Sequence, residues 1–413
     1  MMSSYNLRRR EGVGGFDLLL IVGLALAPMT ELRIWKVGPA ELLCAVWCAR
    51  YLRYYFDGGV NRPLAAFWLP FYLTLTAGTL FCLQFYPSES SGLGGLVTWF
   101  FMMFLSLGVY AGLMRRGAGD ILRILETTCF VAAVWYIFLL VYSRVVSPTF
   151  FGARLWYARV RFTGGGANPH QMAILALGLM FVSFYFLVRV EMPRARRAAH
   201  AVSAAAFFYI LFLTRSATAW MAMLACAALG AALLVVRGAK AARANRVAVA
   251  AAWTLGALGF ILGFVWLFDR FMAWVSADPN GMGRFELFSY IVDPLRKNFL
   301  FGLGDGTHSN GGISEFHNTY LEIIGMTGLV GVIIFAVFTV RIFLSLRRDP
   351  YLLLVPLALY IYGLAGFGMR RLPYWALTSF MLALAQKLPR KEESGPPAPA
   401  RGEAPRLGPG GAA

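Results

Sequence analysis

Acidic side chains and histidines are what this chain has least of. Its 413 residues hold 20 Asp and Glu against 38 Lys and Arg, with only four histidines. Charged residues make up 14% of the total. Soluble domains carry about a quarter, so most of this surface must face lipid. No Asp-x-Asp pair occurs anywhere, and no Ser-His-Asp ordering or nucleotide loop is visible. The Gly302–Gly306 stretch GLGDG lacks the strand and the Lys that a phosphate loop needs. The five cysteines, Cys44, Cys48, Cys82, Cys129 and Cys226, lie in or beside apolar stretches, where thiols serve as small buried hydrophobes. Neither a disulfide framework nor a zinc site is indicated. Chemistry without a cofactor or metal, drawing on a pre-activated donor, is the expectation.

Apolar sequence is what the chain has in excess. Hydrophobic residues make up 59% and the mean hydropathy is +0.63. Twelve stretches are long enough, or nearly so, to cross the roughly 30 Å hydrocarbon layer: 15–34, 37–56, 64–86, 93–114, 121–146, 170–190, 199–214, 216–236, 247–268, 317–346, 350–369 and 373–388. The 199–236 region reads as one bent hairpin or two short spans. The first stretch runs on through Pro28 without a small-x-small exit, as a retained anchor does. The expected fold is an all-α polytopic integral membrane protein of about 12 transmembrane helices, forming one membrane domain over residues 1–388. Residues 389–413, rich in Pro, Gly and Ala, read as a disordered cytoplasmic tail.

The net charge of +18 is distributed as a topology signal. With Arg8, Arg9 and Arg10 taken as cytoplasmic, alternate connections collect Arg50, Arg53, Arg62, Arg115, Arg116, Arg123, Arg189, Arg194, Arg196, Arg197, Arg237, Lys240, Arg243, Arg246, Arg341, Arg347, Arg348, Lys387, Arg390 and Lys391. With Arg401 and Arg406 of the tail, this makes 25 of the 38 basic residues, as the positive-inside rule expects. Both termini are then cytoplasmic, and the basic excess calls for anionic lipid rather than nucleic acid. Two outer connections stand out by length, 146–169 and 269–316, the latter lying between the ninth and tenth spans.

The remaining basic residues fall on the outer side: Arg33, Lys36, Arg144, Arg154, Arg159, Arg161, Arg215, Arg270, Arg284, Arg296, Lys297, Arg370 and Arg371. Any one of them can snorkel or pair with Asp269, Asp278, Glu286, Asp293, Asp305 or Glu315. As a set converging from separate connections they suit an anion, because arginine's fork of donors matches phosphate oxygens. His317 stands where the long outer loop gives way to an apolar helix. The positive end of that helix favours a neutral imidazole, which can take a proton from an incoming hydroxyl. Ser314 or Asn310 is expected to cap the turn. Gly325, Gly328 and Gly331 permit close approach of a neighbouring helix. Glu322, a turn into the membrane, needs a partner, for which Arg370 or Arg371 is the candidate.

The segment Met282–Gly331 resembles the O-antigen ligase and Wzy-type polymerase family. It carries Gly283–Arg284, Pro294–Leu295, Gly302–Gly304, His317–Asn318, Leu321 and Gly325–Gly328 in the family's order. Upstream, residues 161–170 (RFTGGGANPH) are similar to the family's Arg-x-x-Gly…Asn-Pro-Asn block, with His170 in place of the last Asn. The motif core thus spans about 161–331. The family's Ser-Arg at the start of a middle span reads here as Thr214-Arg215-Ser216; on a helix that offset turns the Arg by about 200°.

The resemblance implies a metal-independent, inverting glycosyltransferase of the bacterial inner membrane with a periplasmic active site. Its partners would be an undecaprenyl-diphosphate-linked glycan as donor and an acceptor glycan, either lipid A core or the growing polysaccharide. His317 would be catalytic, with Arg161, Arg284, Arg215, Arg370 and Arg371 on the donor diphosphate, and Asn318, Glu322, His170 and His308 in support. Ligase and polymerase differ only in acceptor, and loop arrangement favours the ligase; a pilin oligosaccharyl transferase is a further variant. A transporter or flippase for the same lipid-linked saccharide is the alternative of a different class. It would need no base and should show pseudo-symmetric halves, and no repeat is visible.

Overall fold

Runs of Leu, Phe and Ala punctuated by Pro and Asn become antiparallel helices joined by short turns. The computed structural model describes residues 5–6, 13–34, 37–55, 61–89, 92–241, 254, 290–305, 316–364, 366 and 368–388. Its helices are α1 (Asp17–Leu26), α2 (Pro39–Ala49), α3 (Arg62–Phe85), α4 (Gly94–Met114), α5 (Ala118–Val145), α6 (Pro169–Arg189), α7 (Arg194–Thr214), α8 (Ala217–Ala241), a short α9 (Val292–Lys297), α10 (Thr319–Leu346), α11 (Pro350–Tyr362) and α12 (Leu372–Lys387). Proline occupies the first turn of α2, α3, α6, α11 and α12, where its missing N–H and fixed φ suit a helix start. Asn168, Asn318 and Asp349 cap α6, α10 and α11 by accepting from backbone amides.

Seven of these helices, α3 to α8 and α10, are long and apolar enough to cross a membrane. The sequence reading counted twelve spans. Helices α1, α2 and α11 are apolar but run only 10, 11 and 13 residues, which at 1.5 Å per residue is about 15–20 Å. The 247–268 stretch lies outside the described residues. The 199–236 ambiguity resolves into two helices, α7 and α8, parted at Arg215–Ser216.

Helix α12 is buried from Leu372 to Leu384 and forms the centre of the bundle. Around it Phe67 stacks on Phe338 at 4.3 Å and Trp68 meets Trp375 at 4.4 Å. The long 146–169 connection holds two small hairpins, Thr149–Phe150 with Ala153–Arg154 and Trp156–Tyr157 with Arg161–Phe162. All five cysteines are buried thiols.

Helix α10 is broken. Gly328 has φ 56° and ψ −157°, a conformation essentially confined to glycine. The break exposes backbone groups that must find partners inside a membrane, and residues 299–304 supply them. Leu303 and Gly304 N–H donate to the Gly325 and Met326 carbonyls at 3.0 Å, while Leu329 and Val330 N–H donate to Phe299 and Leu300 at 3.0 and 3.1 Å. Gly325 and Gly328 therefore face the irregular segment 299–304, where their spacing predicts a neighbouring helix. A Cβ at Gly302 would lie 2.5 Å from the Gly325 oxygen.

At the end of the bundle away from His317, two buried polar clusters tie helices together. Arg189 at the end of α6 pairs with Asp349 at 3.1 Å. Glu126 of α5 takes both Arg196 and His200 of α7.

Candidate functional site

The start of α10 is assembled by backbone bonds. The Asn318 side chain accepts from Tyr320 and Leu321 N–H at 2.9 and 3.2 Å, so Asn318 itself is the cap; Ser314 and Asn310, the expected caps, lie outside the described residues. Glu322 is 1% exposed, and its carboxylate accepts from the Phe316 amide at 2.6 Å. His317 stands between these two anchors, just ahead of the cap rather than in the helix, half-buried, with φ +52°. A non-glycine residue in that left-handed region is uncommon, and among such residues histidine is enriched.

From there a chain of bonds crosses the histidine end of the bundle. Asn318 Nδ2 donates to the Leu364 carbonyl at 2.7 Å, and Thr319 Oγ1 donates to Gly366 at 2.8 Å while accepting from Gly368 N–H at 3.1 Å. Tyr362 OH, just before this loop, donates to the His170 carbonyl at 3.1 Å. The His170 ring hydrogen-bonds Ser216 Oγ at 3.0 Å through Nδ1. Ser216 adjoins Arg215, an exposed residue at φ 51° and ψ 37° that ends α7. Arg161 closes the group: its Nε donates to Thr214 O at 3.0 Å and its Nη2 to Arg215 O at 3.4 Å.

The structure thus brings His317, Asn318, His170, Arg161 and Arg215 to one end of the bundle. Residue 215 is not helical, so the expected displacement of about 200° round a helix does not apply. Arg161 spends part of its fork on the carbonyl end of α7, where a cation offsets the negative pole of the helix.

Arg370 and Arg371 lie in the turn before α12, at the same end. Arg370 pairs with Asp305, which packs against Gly95 at the start of α4. Of the two arginines expected to partner Glu322, Arg370 lies against Asp305, while Glu322 accepts from the Phe316 amide. Burial, and then the Arg371 charge beside it, push the Arg370 pKa down to about 9.

Several outer basic residues of the expected anion site have other work. Arg33 pairs with Glu41, Arg154 with Glu31 at 2.6 Å and Lys297 with Asp293 at 2.7 Å. Arg144 lies over the Trp156 ring at 4.0 Å. Glu31 and Glu41 were missing from the expected set of acids because both fall inside apolar stretches, Glu31 in a single 3-10 turn and Glu41 in the first turn of α2. Arg284 and His308 lie outside the described residues. Thr319 and Tyr362 are polar residues that motif reading passed over, and Ser216, part of the Thr214-Arg215-Ser216 motif, was given no role there. Ser216 and Thr319 do flank named motif residues, but Tyr362 carries no local signal, being 192 positions from the residue it bonds.

This architecture, apolar helices of spanning length with histidines and arginines gathered at one end, defines a polytopic α-helical membrane protein. Residues 201–336, about a third of the chain, match the family model described as O-antigen ligase, which supports membership of the O-antigen ligase/Wzy family. Together with the seven apolar helices, the match implies a bacterial membrane protein of O-antigen ligase or polymerase type. The matched stretch takes in Arg215, Arg284, His308 and His317 and leaves out Arg161, His170, Arg370 and Arg371. No curated protein matches the chain.

Proposed function

We propose that the chain is an O-antigen ligase-like glycosyltransferase, moving a saccharide from an undecaprenyl-diphosphate carrier to a sugar hydroxyl of an acceptor glycan. The observation that carries this reading is His317, held at φ +52° between two anchored residues in the network that reaches Arg161 and Arg215. In the proposed step a neutral His317 accepts the proton of the acceptor hydroxyl. The oxygen attacks the anomeric carbon from the side opposite the diphosphate and inverts it. The anomeric carbon–oxygen bond breaks, and its electron pair leaves on the diphosphate. Arg215 and Arg371, with Arg161, Arg370 and Arg284, would stabilise the charge that develops there, an electrostatic role typically worth a factor of about 10²–10³ per donor. Asn318 and Glu322 hold the histidine turn, and His170 holds Ser216 beside Arg215.

The same reading places the protein in the inner membrane. It has about twelve spans over residues 1–388, both termini cytoplasmic, a long periplasmic loop over 269–316, the site on the periplasmic face and a cytoplasmic tail over 389–413. Transfer to lipid A core is preferred to polymerisation on the loop arrangement. A flippase would make the same use of the arginines but none of a base at His317.

Deleting the gene and resolving surface glycan on a gel separates these activities. Loss of a ligase leaves full-length polymer on the carrier and bare core lipid, loss of a polymerase leaves cores bearing one repeat, and loss of a flippase leaves neither. A His317→Ala strain with normal protein level is expected to reproduce the ligase defect. Wild-type glycan in that strain would remove the general base from the reaction.

A further inference from the structure

At the end of the bundle opposite His317, the turn after α2 and the turn between α4 and α5 enclose a cavity of about 650 Å³ lined by Arg50, Arg53, Arg115 and Arg116. A basic turn is enough to orient a span. It has no need to gather guanidiniums from two separate connections round one space, nor to hold them in place, and here they are held. Arg53 and Arg115 lie over the same ring, Tyr54, at 4.6 and 3.9 Å, and Arg50 lies over Phe16 at 5.0 Å. Arg116 pairs with the buried Asp17 and donates to Tyr51 OH at 3.1 Å. Asp17 also accepts from Trp47 Nε1 at 3.1 Å, so this arginine stands on a fixed floor. Only Asp17 and Asp120 supply negative charge among the residues named here, and two cations sharing one ring repel unless an anion stands near them.

The surface next to the cavity says what kind of anion it would take. Val46 precedes Arg50 by four residues on α2 and Leu42 precedes Val46 by four, so all three share a face. Leu42 is 58% and Val46 48% exposed. A bare apolar stripe one to two turns long thus runs from the arginines toward the middle of the bundle. A phosphate group in the cavity with an acyl chain laid on that stripe would satisfy both.

We propose that this cavity binds the phosphate headgroup of an anionic phospholipid, in the leaflet opposite the candidate active site. Basic pockets between membrane helices hold lipid phosphates in this way, and each arginine near the surface strengthens binding about fivefold.

The test uses the full chain in phosphatidylcholine nanodiscs doped with phosphatidylglycerol, with retained lipid counted by native mass spectrometry. The wild type is expected to keep phosphatidylglycerol in preference to phosphatidylcholine. Arg53→Gln with Arg115→Gln should lower that retention about 25-fold. Arg341→Gln with Arg347→Gln removes the same charge at the same end of the bundle but away from the cavity, and should change it less than about twofold. Equal losses in the two double variants would reduce the effect to general attraction and overturn the site. Displacement of phosphatidylglycerol by equimolar inorganic phosphate would overturn the lipid assignment in favour of a free ion. If the first double variant is not recovered folded, Tyr54→Leu decides: it keeps every charge and removes the platform. A drop of about fivefold is expected, and unchanged retention would overturn the proposal.

Discussion

At His317 a backbone angle that L side chains avoid coincides with the imidazole proposed to take the proton. Left-handed φ costs a non-glycine residue about 1–2 kcal/mol, and Glu322 and Asn318 hold the turn against that cost by bonding the backbone on either side. Backbone strain of this kind gathers at functional positions. Two substitutions separate strain from chemistry. Asn tolerates the left-handed region, so His317→Asn is expected to abolish glycan transfer while melting within about 1 kcal/mol of wild type; His317→Ala should abolish transfer and also lose about 1 kcal/mol. Transfer and thermal unfolding in detergent are the two measurements. Arg161 and Arg215 divide similarly. Arg161 donates to the end of α7, so Arg161→Gln should lower stability by about 1–2 kcal/mol as well as transfer. Arg215 is exposed, and Arg215→Gln is expected to lower transfer about 10–100-fold with the unfolding midpoint unchanged. A shifted midpoint with intact transfer would make Arg215 a structural residue.

Helix α10 and the segment before it act as one element. Neither satisfies its own backbone: the helix is broken at Gly328, and residues 299–304 bond to the carbonyls and amides freed at the break. A Cβ at Gly328 would fall 2.6 Å from the Leu300 backbone. Gly328→Ala is therefore expected to cost several kcal/mol through clash and backbone strain combined, seen as a large fall in detergent melting temperature. A neutral substitution there would mean that the break is not maintained in the membrane. The same segment delivers Asp305 to Arg370. Removing one partner leaves a charge with little solvent, so Asp305→Asn and Arg370→Gln should each cost about 1–3 kcal/mol. The double variant should cost less than their sum, a coupling of about 0.5–3 kcal/mol.

On the scale of the whole molecule, helix order places the ends of α1 and α7 and the starts of α6, α10 and α12 together, and puts the ends of α2 and α4 at the far side. The five native cysteines are buried, so an introduced thiol can report sidedness alone. Phe151→Cys, in an exposed hairpin turn at the histidine end, is expected to react with a membrane-impermeant maleimide added outside the inner membrane. Arg115→Cys, at the arginine cavity, should react only after the membrane is opened. Reversed labelling would invert the proposed topology and move the transfer to the cytoplasmic face.

Composition and periodicity alone determined that this chain forms apolar helices in lipid. Eleven of the twelve apolar stretches fall on described helices, seven of them long enough to span, because a segment in lipid must satisfy its backbone within itself and so leaves an apolar run in local sequence. The His-Asn ahead of α10 stood out through the family resemblance, but its cap did not, because Ser314 and Asn310 carry the same local capping signal as Asn318. What only the tertiary structure decided is how distant polar groups meet. The hydroxyl of Tyr362 on the His170 carbonyl, Arg161 on the end of α7, Asp305 against Arg370 and the segment 299–304 laid into the break of α10 leave no periodicity behind. Each exists because a buried polar group must find a partner, and which partner is near depends on how the helices pack.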